Sequence, residues 1–207
     1  MDHANANNPA TGRGLDPAKR RAILEGAQDV FLRDGFVAAS MDEVARAAGV
    51  GKMTVYRHFG SKDALFRDML REICGGTLVD APTRHGATLE EDLVALGRSF
   101  VDLITHPRRL GTYRVALSEA ERTPDVSKLF YEGAVIPVCE RIARCIAAHA
   151  PRLPPEEVFL LAGSFLQLVQ GHAFLRLVMG LDHEPDRAAF EAQIALAAEM
   201  IAQRANV

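Results

Sequence analysis

An all-α fold of about nine helices is predicted for this chain by three observations. Apolar residues recur at helical spacing through most of its length, and no stretch alternates apolar and polar residues as a half-buried strand would. The gaps between periodic stretches carry helix punctuation: Asp16-Pro17, Ser40 three residues before Glu43, Gly75-Gly76 and Thr123-Pro124-Asp125. No internal repeat and no phosphate-cradling glycine loop interrupts the pattern.

The elements follow in order. Residues 1–14 are rich in Asn, Ala, Pro and Gly and are expected to be disordered. Asp16 offers an N-cap and Pro17 an N1 residue. The first helix runs to about Arg33, before Gly35, with Ile23, Ala27, Val30 and Phe31 inward. Ser40 opens the second helix with a capping box to Glu43. Val44, Ala47 and Ala48 form its buried face, and Gly49 ends it. Val50 plugs the turn. A short third helix spans Lys52 to His58, with Val55 and Phe59 inward. Ser61 caps a fourth, which runs to about Cys74. A loop over 75–87, with Pro82 and Gly86, leads to a helix over 89–105 carrying Leu93, Leu96, Phe100 and Leu103 on one stripe. His106-Pro107 separates it from a helix over 109–122. A longer one over 125–149 is kinked by Pro137. Pro151, Pro154 and Pro155 mark the next turn, and helices over 156–179 and 185–204 close the chain.

At 207 residues the chain suits one medium or two small domains with a real core. The net charge of −3 argues at first against a nucleic-acid partner. Its distribution argues for one: residues 13–71 hold 11 Lys and Arg against 8 Asp and Glu, whereas residues 72–207 hold 13 against 18. Three cysteines without a CxxC suggest neither a disulfide framework nor a zinc site, and fit a reducing compartment. The N-terminus lacks a secretion-type apolar region. Val158–Leu181 is apolar but contains Gln167, Gln170, His172 and Arg176, so it reads as a buried or interface helix, with a membrane span as the alternative. A cytoplasmic protein with no membrane partner is expected. No HExxH, no GxSxG and no nucleophile–base pair occurs, so no enzyme, metal or cofactor is expected. Asp182-His183-Glu184 reads as a solvated turn. Cys139 and Cys145, six apart, fall on different helix faces.

Residues 40–66 carry the chemistry. Two short helices joined at Gly49-Val50 form a helix-turn-helix, and the second points Lys52, Met53, Thr54, Tyr56, Arg57 and His58 outward. So many polar, cationic and aromatic side chains on one short helix call for a polyanion against it. Lys52 and Arg57 can donate to guanine edges or phosphates, and Met53 and Thr54 can touch a thymine methyl. Tyr56 and His58 suit phosphates. Ser40 joins the candidate DNA contacts, as does Lys62 at a helix N-terminus. Lys19-Arg20-Arg21, with Arg13 upstream, reads equally as a clamp on the DNA backbone or as a solvated face.

Residues 17–66 resemble the DNA-binding domain of the tetracycline-repressor (TetR-like) family of bacterial transcriptional regulators. The pattern is Ile23/Ala27/Phe31, Gly35-Phe36, Val44-Ala45, Ala48-Gly49-Val50, Thr54-Val55-Tyr56-Arg57-His58-Phe59 and Ser61-Lys62-Asp63-Ala64-Leu65. Gly51 departs from it, standing where the family often has a capping serine; glycine is also accepted there. Residues 113–135 resemble the ligand-domain helices of the AefR-like subgroup. The resemblance implies a helix-turn-helix domain over 15–61 and a helical ligand-binding and dimerisation domain over 62–207. It implies a homodimeric repressor on double-stranded DNA with a palindromic operator, released when a small hydrophobic or amphipathic effector moves the fourth helix. An activator or ligand-independent regulator of the same fold is the alternative, and a helical sensor binding protein is a second. Candidates for the ligand chamber are the polar tips on apolar helices: Tyr113, Arg114, Glu119, Tyr131, Cys139, Gln167, Gln170 and His172. Phe100, Phe130, Phe165 and Phe174 read as core. The helix over 156–179 is apolar nearly all round and must be buried on several sides. Phe159, Phe165, Leu166 and Val169, with Phe190, Ile194, Ala197 and Ile201 of the last helix, are candidates for the dimer contact; an intramolecular core is the other reading.

Overall fold

The computed structural model of the protein describes residues 16–74, 86, 88–121 and 123–205. The tail expected to be disordered over 1–14, Arg13 within it, most of the loop over 75–87 and the side chain of Cys74 lie outside these residues. Ten α-helices follow: α1 Pro17–Ala38, α2 Met41–Ala47, α3 Lys52–Phe59, α4 Lys62–Cys74, α5 Leu89–Thr105, α6 Pro107–Ser118, α7 Pro124–Phe130, α8 Ile136–His149, α9 Pro155–Val178 and α10 Arg187–Ala205. A π-helical turn, Tyr131–Val135, joins α7 to α8. Taken as one path, α7, this turn and α8 are the predicted helix over 125–149, which gives the nine helices expected. No strand occurs among the described residues.

Local chemistry sets the boundaries. The Asp16 carboxylate accepts from the N–H groups of Ala18 and Lys19. Ser40 and Glu43 form the reciprocal capping box, and Thr88 and Glu91 repeat it at the head of α5. Gly35 breaks α1 with φ 76° and ψ 169°, so the regular helix ends where the sequence predicted and a short turn to Ala38 follows.

Four features correct the sequence reading. Ala47 faces solvent, and Met41 joins Val44 and Ala45 on the inner face of α2. α6 starts at Pro107 rather than 109, because proline at N1 loses no helical hydrogen bond. The irregularity near Pro137 is the π turn just before it. Proline has no N–H and crowds the carbonyl four residues back, and the wider turn absorbs both effects. α9 is interrupted at Gly171 (φ 43°, ψ −155°), where a Cβ would come within 1.7 Å of the Gln193 amide of α10.

α1, α2 and α3 pack around Ile23, Val30, Phe31, Val44 and Val55, all buried. α5, α8, α9 and α10 form a second bundle, in which Gly97 of α5 sits against Ile194 of α10 and Phe165 of α9. α4 packs on α1 on one side and on α7 and the π turn on the other, and α6 lies against both α1 and α5. Two helices therefore join the reader to the larger bundle. α9 is long and apolar enough to cross a membrane by length and composition, and part of that apolar surface is buried against α8, α5 and α10.

Candidate nucleic-acid interface and inner cavity

Val55 and Phe59 root α3 in the core, which turns the rest of the helix outward. Met53 is 78% exposed and Tyr56 40%. Arg57 is exposed and Thr54 half-buried beside them. Lys52 Nζ lies 2.8 Å from Asp42 of α2 and 5.9 Å from the Tyr56 ring centroid. The hydrogen bond and charge of Asp42 raise the lysine pKa. An exposed pair of this kind is weak and can be exchanged for a phosphate.

Two of the predicted contacts, Ser40 and Lys62, are hydrogen-bonded within the protein, and the ring nitrogens of a third, His58, are buried. The Ser40 hydroxyl donates to Glu43 Oε2 and accepts from Glu43 N, so its role is capping. Both ring nitrogens of His58 are buried without a hydrogen-bond partner, in the field of Asp16, Lys19 and Arg20. Burial, helped by the Arg57 charge, lowers its pKa and keeps the ring neutral. The Lys62 ammonium donates to the carbonyls of Phe36 (2.8 Å), Val37 (3.1 Å) and Ala39 (3.0 Å) and lies 4.6 Å from the Phe36 ring centroid. All three of its protons are used on the end of α1, so no donor remains for a phosphate. Lys62→Met should therefore lower stability by about 2 kcal/mol by stranding these carbonyls. Thermal melting checks this; an unchanged Tm with weakened DNA binding would restore the phosphate role. The basic run is also engaged internally. Arg20 pairs with Asp68 (3.2 Å) and Glu72 (3.0 Å) of α4, and Lys19 and Arg21 pair within the first helix.

An inner cavity of about 280 Å³ opens among α4, α5, α6, α7, the π turn, α8 and α9. Of the predicted ligand residues, Tyr113, Tyr131, Cys139, Gln167 and Gln170 line it. Burial pushes the Cys139 thiol pKa up, which keeps it neutral. Arg114, Glu119 and His172 do not line it. Arg114 donates to the carbonyls of Leu177 and Val178, closing the end of α9. Glu119 caps α6 beside Gly35, and His172 faces solvent. Sequence reasoning missed Arg109 and Thr112, which line the cavity with Tyr113. The signal was present: Arg109, Thr112, Tyr113 and Ala116 recur at i, i+3, i+4 and i+7 on one face of α6. Phe100, Phe130 and Phe174, expected in the core, line the cavity, and Phe165 does not. The Tyr113 ring stands edge-on to Phe130 (5.6 Å) and to Phe174 (5.3 Å).

The cavity touches both joining helices. Leu70 and Ile73 of α4 line it, two to three turns from the Lys62 grip. On α6, Arg109 and Tyr113 face it, while the neighbouring Arg108 reaches back to Asp29 (2.7 Å) and Gln28 (3.0 Å) of α1.

A family model of bacterial regulatory proteins, tetR family, matches residues 23–69, and one of the AefR-like transcriptional repressor C-terminal domain matches residues 91–204. The chain belongs to the TetR family. It is a helix-turn-helix, DNA-binding transcriptional regulator of bacterial type and not an enzyme. The HTH-type transcriptional regulator BetI of Rhizobium meliloti (strain 1021) is 33% identical over 119 residues, 56% of this chain and 59% of that protein. The solved flavonoid-responsive regulator FrrA is 31% identical, with a TM-score of 0.71, over 91% of this chain and 97% of that one. FadR from Bacillus subtilis, solved with stearoyl-CoA, shares the fold at 13% identity (TM-score 0.65, 88% of this chain and 97% of that one).

In this TetR-family chain, most of the predicted dimer contacts prove to be interior. Phe165, Leu166, Val169, Phe190, Ile194, Ala197 and Ile201 are buried within the protomer; Phe159 is exposed and lines the cavity. The outward apolar stripe lies on other residues: Leu160 and Leu175 of α9, and Leu196 and Met200 of α10. Apart from these faces, Asp92, Cys145 and His149 bring potential metal-ligand atoms within 4.8 Å of one another. The Asp92 carboxylate there accepts from Gly86 N (2.6 Å) and lies 2.7 Å from His149 Nε2. Burial pushes the Cys145 thiol pKa up to about 11. Asp182 is paired with Arg176, as befits a solvated turn.

Proposed function

We propose that the protein is a homodimeric repressor of the cytoplasm that leaves a palindromic operator when a small hydrophobic or amphipathic ligand fills the inner cavity. One observation carries this reading: two of the helices that line the cavity also hold α1 of the reader, α4 through Lys62 and α6 through Arg108. A ligand that displaces either helix changes where α3 sits. One short helix reads only a few base pairs, so two copies related by a two-fold axis are needed. Their half-sites then lie about one turn apart, ~34–36 Å. The stripe of Leu160, Leu175, Leu196 and Met200 supplies the seam. Met53, Thr54, Tyr56 and Arg57 face the groove, and Lys52 exchanges Asp42 for a phosphate. The ligand acts only through its different affinity for the DNA-competent and released arrangements.

FrrA is flavonoid-responsive and FadR was solved with stearoyl-CoA, which supports a small-molecule effector for this chain without choosing its class. The test is an operator titration by fluorescence anisotropy across a salt series, with and without candidate ligands. The account predicts a steep salt slope and ligand-dependent release. A flat slope would favour protein binding, and release by no ligand would favour a ligand-independent regulator. Arg108→Ala should leave operator and ligand affinities within about threefold of wild type, because its pair with Asp29 is largely exposed. It should weaken the coupling between them several-fold, read as operator affinity with saturating ligand. Unaltered coupling would leave α4 as the only route.

A further inference from the structure

We infer that Asp92, Cys145 and His149 form a binding site for zinc(II), separate from the cavity and from the DNA-reading face. Their ligand atoms, a carboxylate oxygen, a sulfur and an imidazole nitrogen, lie within 4.8 Å of one another. Two helices supply them. Asp92 stands in the first turn of α5, and Cys145 and His149 stand four residues apart in α8, on one face of it. None of the three lines the cavity. The Cys145 thiol is fully buried, in no disulfide, and makes no hydrogen bond among the described residues. The His149 side chain is 12% exposed, which leaves the site an edge for entry. The sequence expectation of no metal rested on the lack of a CxxC or HExxH, and the fold brings the third donor from a distant helix.

The donor set selects the ion. Zinc takes thiolate, imidazole and carboxylate together, at about 2.3 Å from sulfur and ~2.0–2.1 Å from nitrogen or oxygen. Magnesium and calcium call for oxygen donors alone, and a carboxylate suits soft monovalent copper poorly. The Asp92 carboxylate and a Cys145 thiolate offset the two charges of the ion, and the thiol proton leaves to solvent. At tetrahedral angles two nitrogen or oxygen ligand atoms stand roughly 3.3 Å apart. Asp92 Oδ2 and His149 Nε2 stand 2.7 Å apart, so the ion replaces their hydrogen bond and parts them by about 0.6 Å. Asp92 Oδ1 accepts from Gly86 N at 2.6 Å, which orients the carboxylate from outside the ligand set. Arg141, one turn before Cys145, is buried beside the cluster; a guanidinium has no lone pair to give, so it is not a ligand. Three protein donors leave the fourth position to water.

Cobalt(II) and zinc titrated into the untagged, reduced, metal-free full chain test this. The inference predicts one cobalt per protomer, with the visible bands of tetrahedral cobalt and a near-ultraviolet thiolate-to-cobalt band. One equivalent of zinc should bleach both, and magnesium or calcium should bleach neither. Zinc should also raise the melting temperature, because it binds the folded state. Cys145→Ala should abolish the thiolate band, whereas Cys139→Ala should keep it. His149→Gln, which keeps a hydrogen-bond donor toward Asp92, should weaken zinc binding at least about tenfold, since losing even an outer partner of a ligand costs that much. It keeps the test decisive if the Cys145 variant melts early. Zinc that binds while cobalt gives no thiolate band reports surface histidines and overturns the inference. So does a thiolate band that survives Cys145→Ala or is lost in Cys139→Ala, or a zinc affinity that is unchanged in His149→Gln.

Discussion

Phe165→Glu is expected to unfold the protein rather than split a dimer. The ring is fully buried and lies beside Gly97, where α5, α9 and α10 meet. Losing it costs roughly 3–5 kcal/mol in a core that cannot collapse. An unpaired buried carboxylate adds several kcal/mol more. The sum rivals the whole stability of a typical domain, about 5–15 kcal/mol. Circular dichroism should show a lost or greatly lowered melting transition, and operator binding should vanish with it. A variant that melts like wild type but runs as a monomer would mean that the ring meets a partner instead of the core.

The converse change is the double substitution Leu196→Glu with Met200→Glu. Both side chains are about half exposed in the protomer, so the fold should survive with its melting temperature little changed. Across a two-fold seam, four carboxylates would be driven together in an apolar contact. Sedimentation should show a folded monomer. Operator affinity should fall by at least about a hundredfold, because each protomer loses the second half-site, while non-specific binding falls much less. A variant that remains dimeric would place the seam elsewhere.

These two substitutions mark where the sequence stopped being informative. The periodicity of α1, α3 and α5 is clean because each has one buried face, and their boundaries and inward residues were legible. α9 is apolar nearly all round, so no sequence stripe separates the face that meets α5 and α10 from the face left outside. Phe165 and Leu160 look alike in one dimension and differ only in the fold. Lys62 is hard to read for another reason. A helix-terminal lysine next to a DNA-reading motif suggests a phosphate, and only the path of α1 past Gly35 reveals three carbonyls within reach. The cavity was half legible: tyrosine and glutamine tips on apolar helices pointed inward, whereas Arg109, at the expected start of its helix, was not singled out. Its neighbour Arg108 does face outward, toward α1, and adjacent helix positions diverge by about 100°. The break at Gly171 left no trace in the pattern, because the residues around it remain apolar.

The central claim is that two copies of α3 read DNA together. Selection of bound DNA from a random pool by the full chain tests it most directly. The account predicts an enriched site with dyad symmetry whose half-sites are centred about one helical turn, ~34–36 Å, or a multiple of it apart, and on which wild type outcompetes the Leu196→Glu, Met200→Glu variant. Enrichment of a single asymmetric half-site bound equally by both proteins, or no enrichment at all, would contradict it.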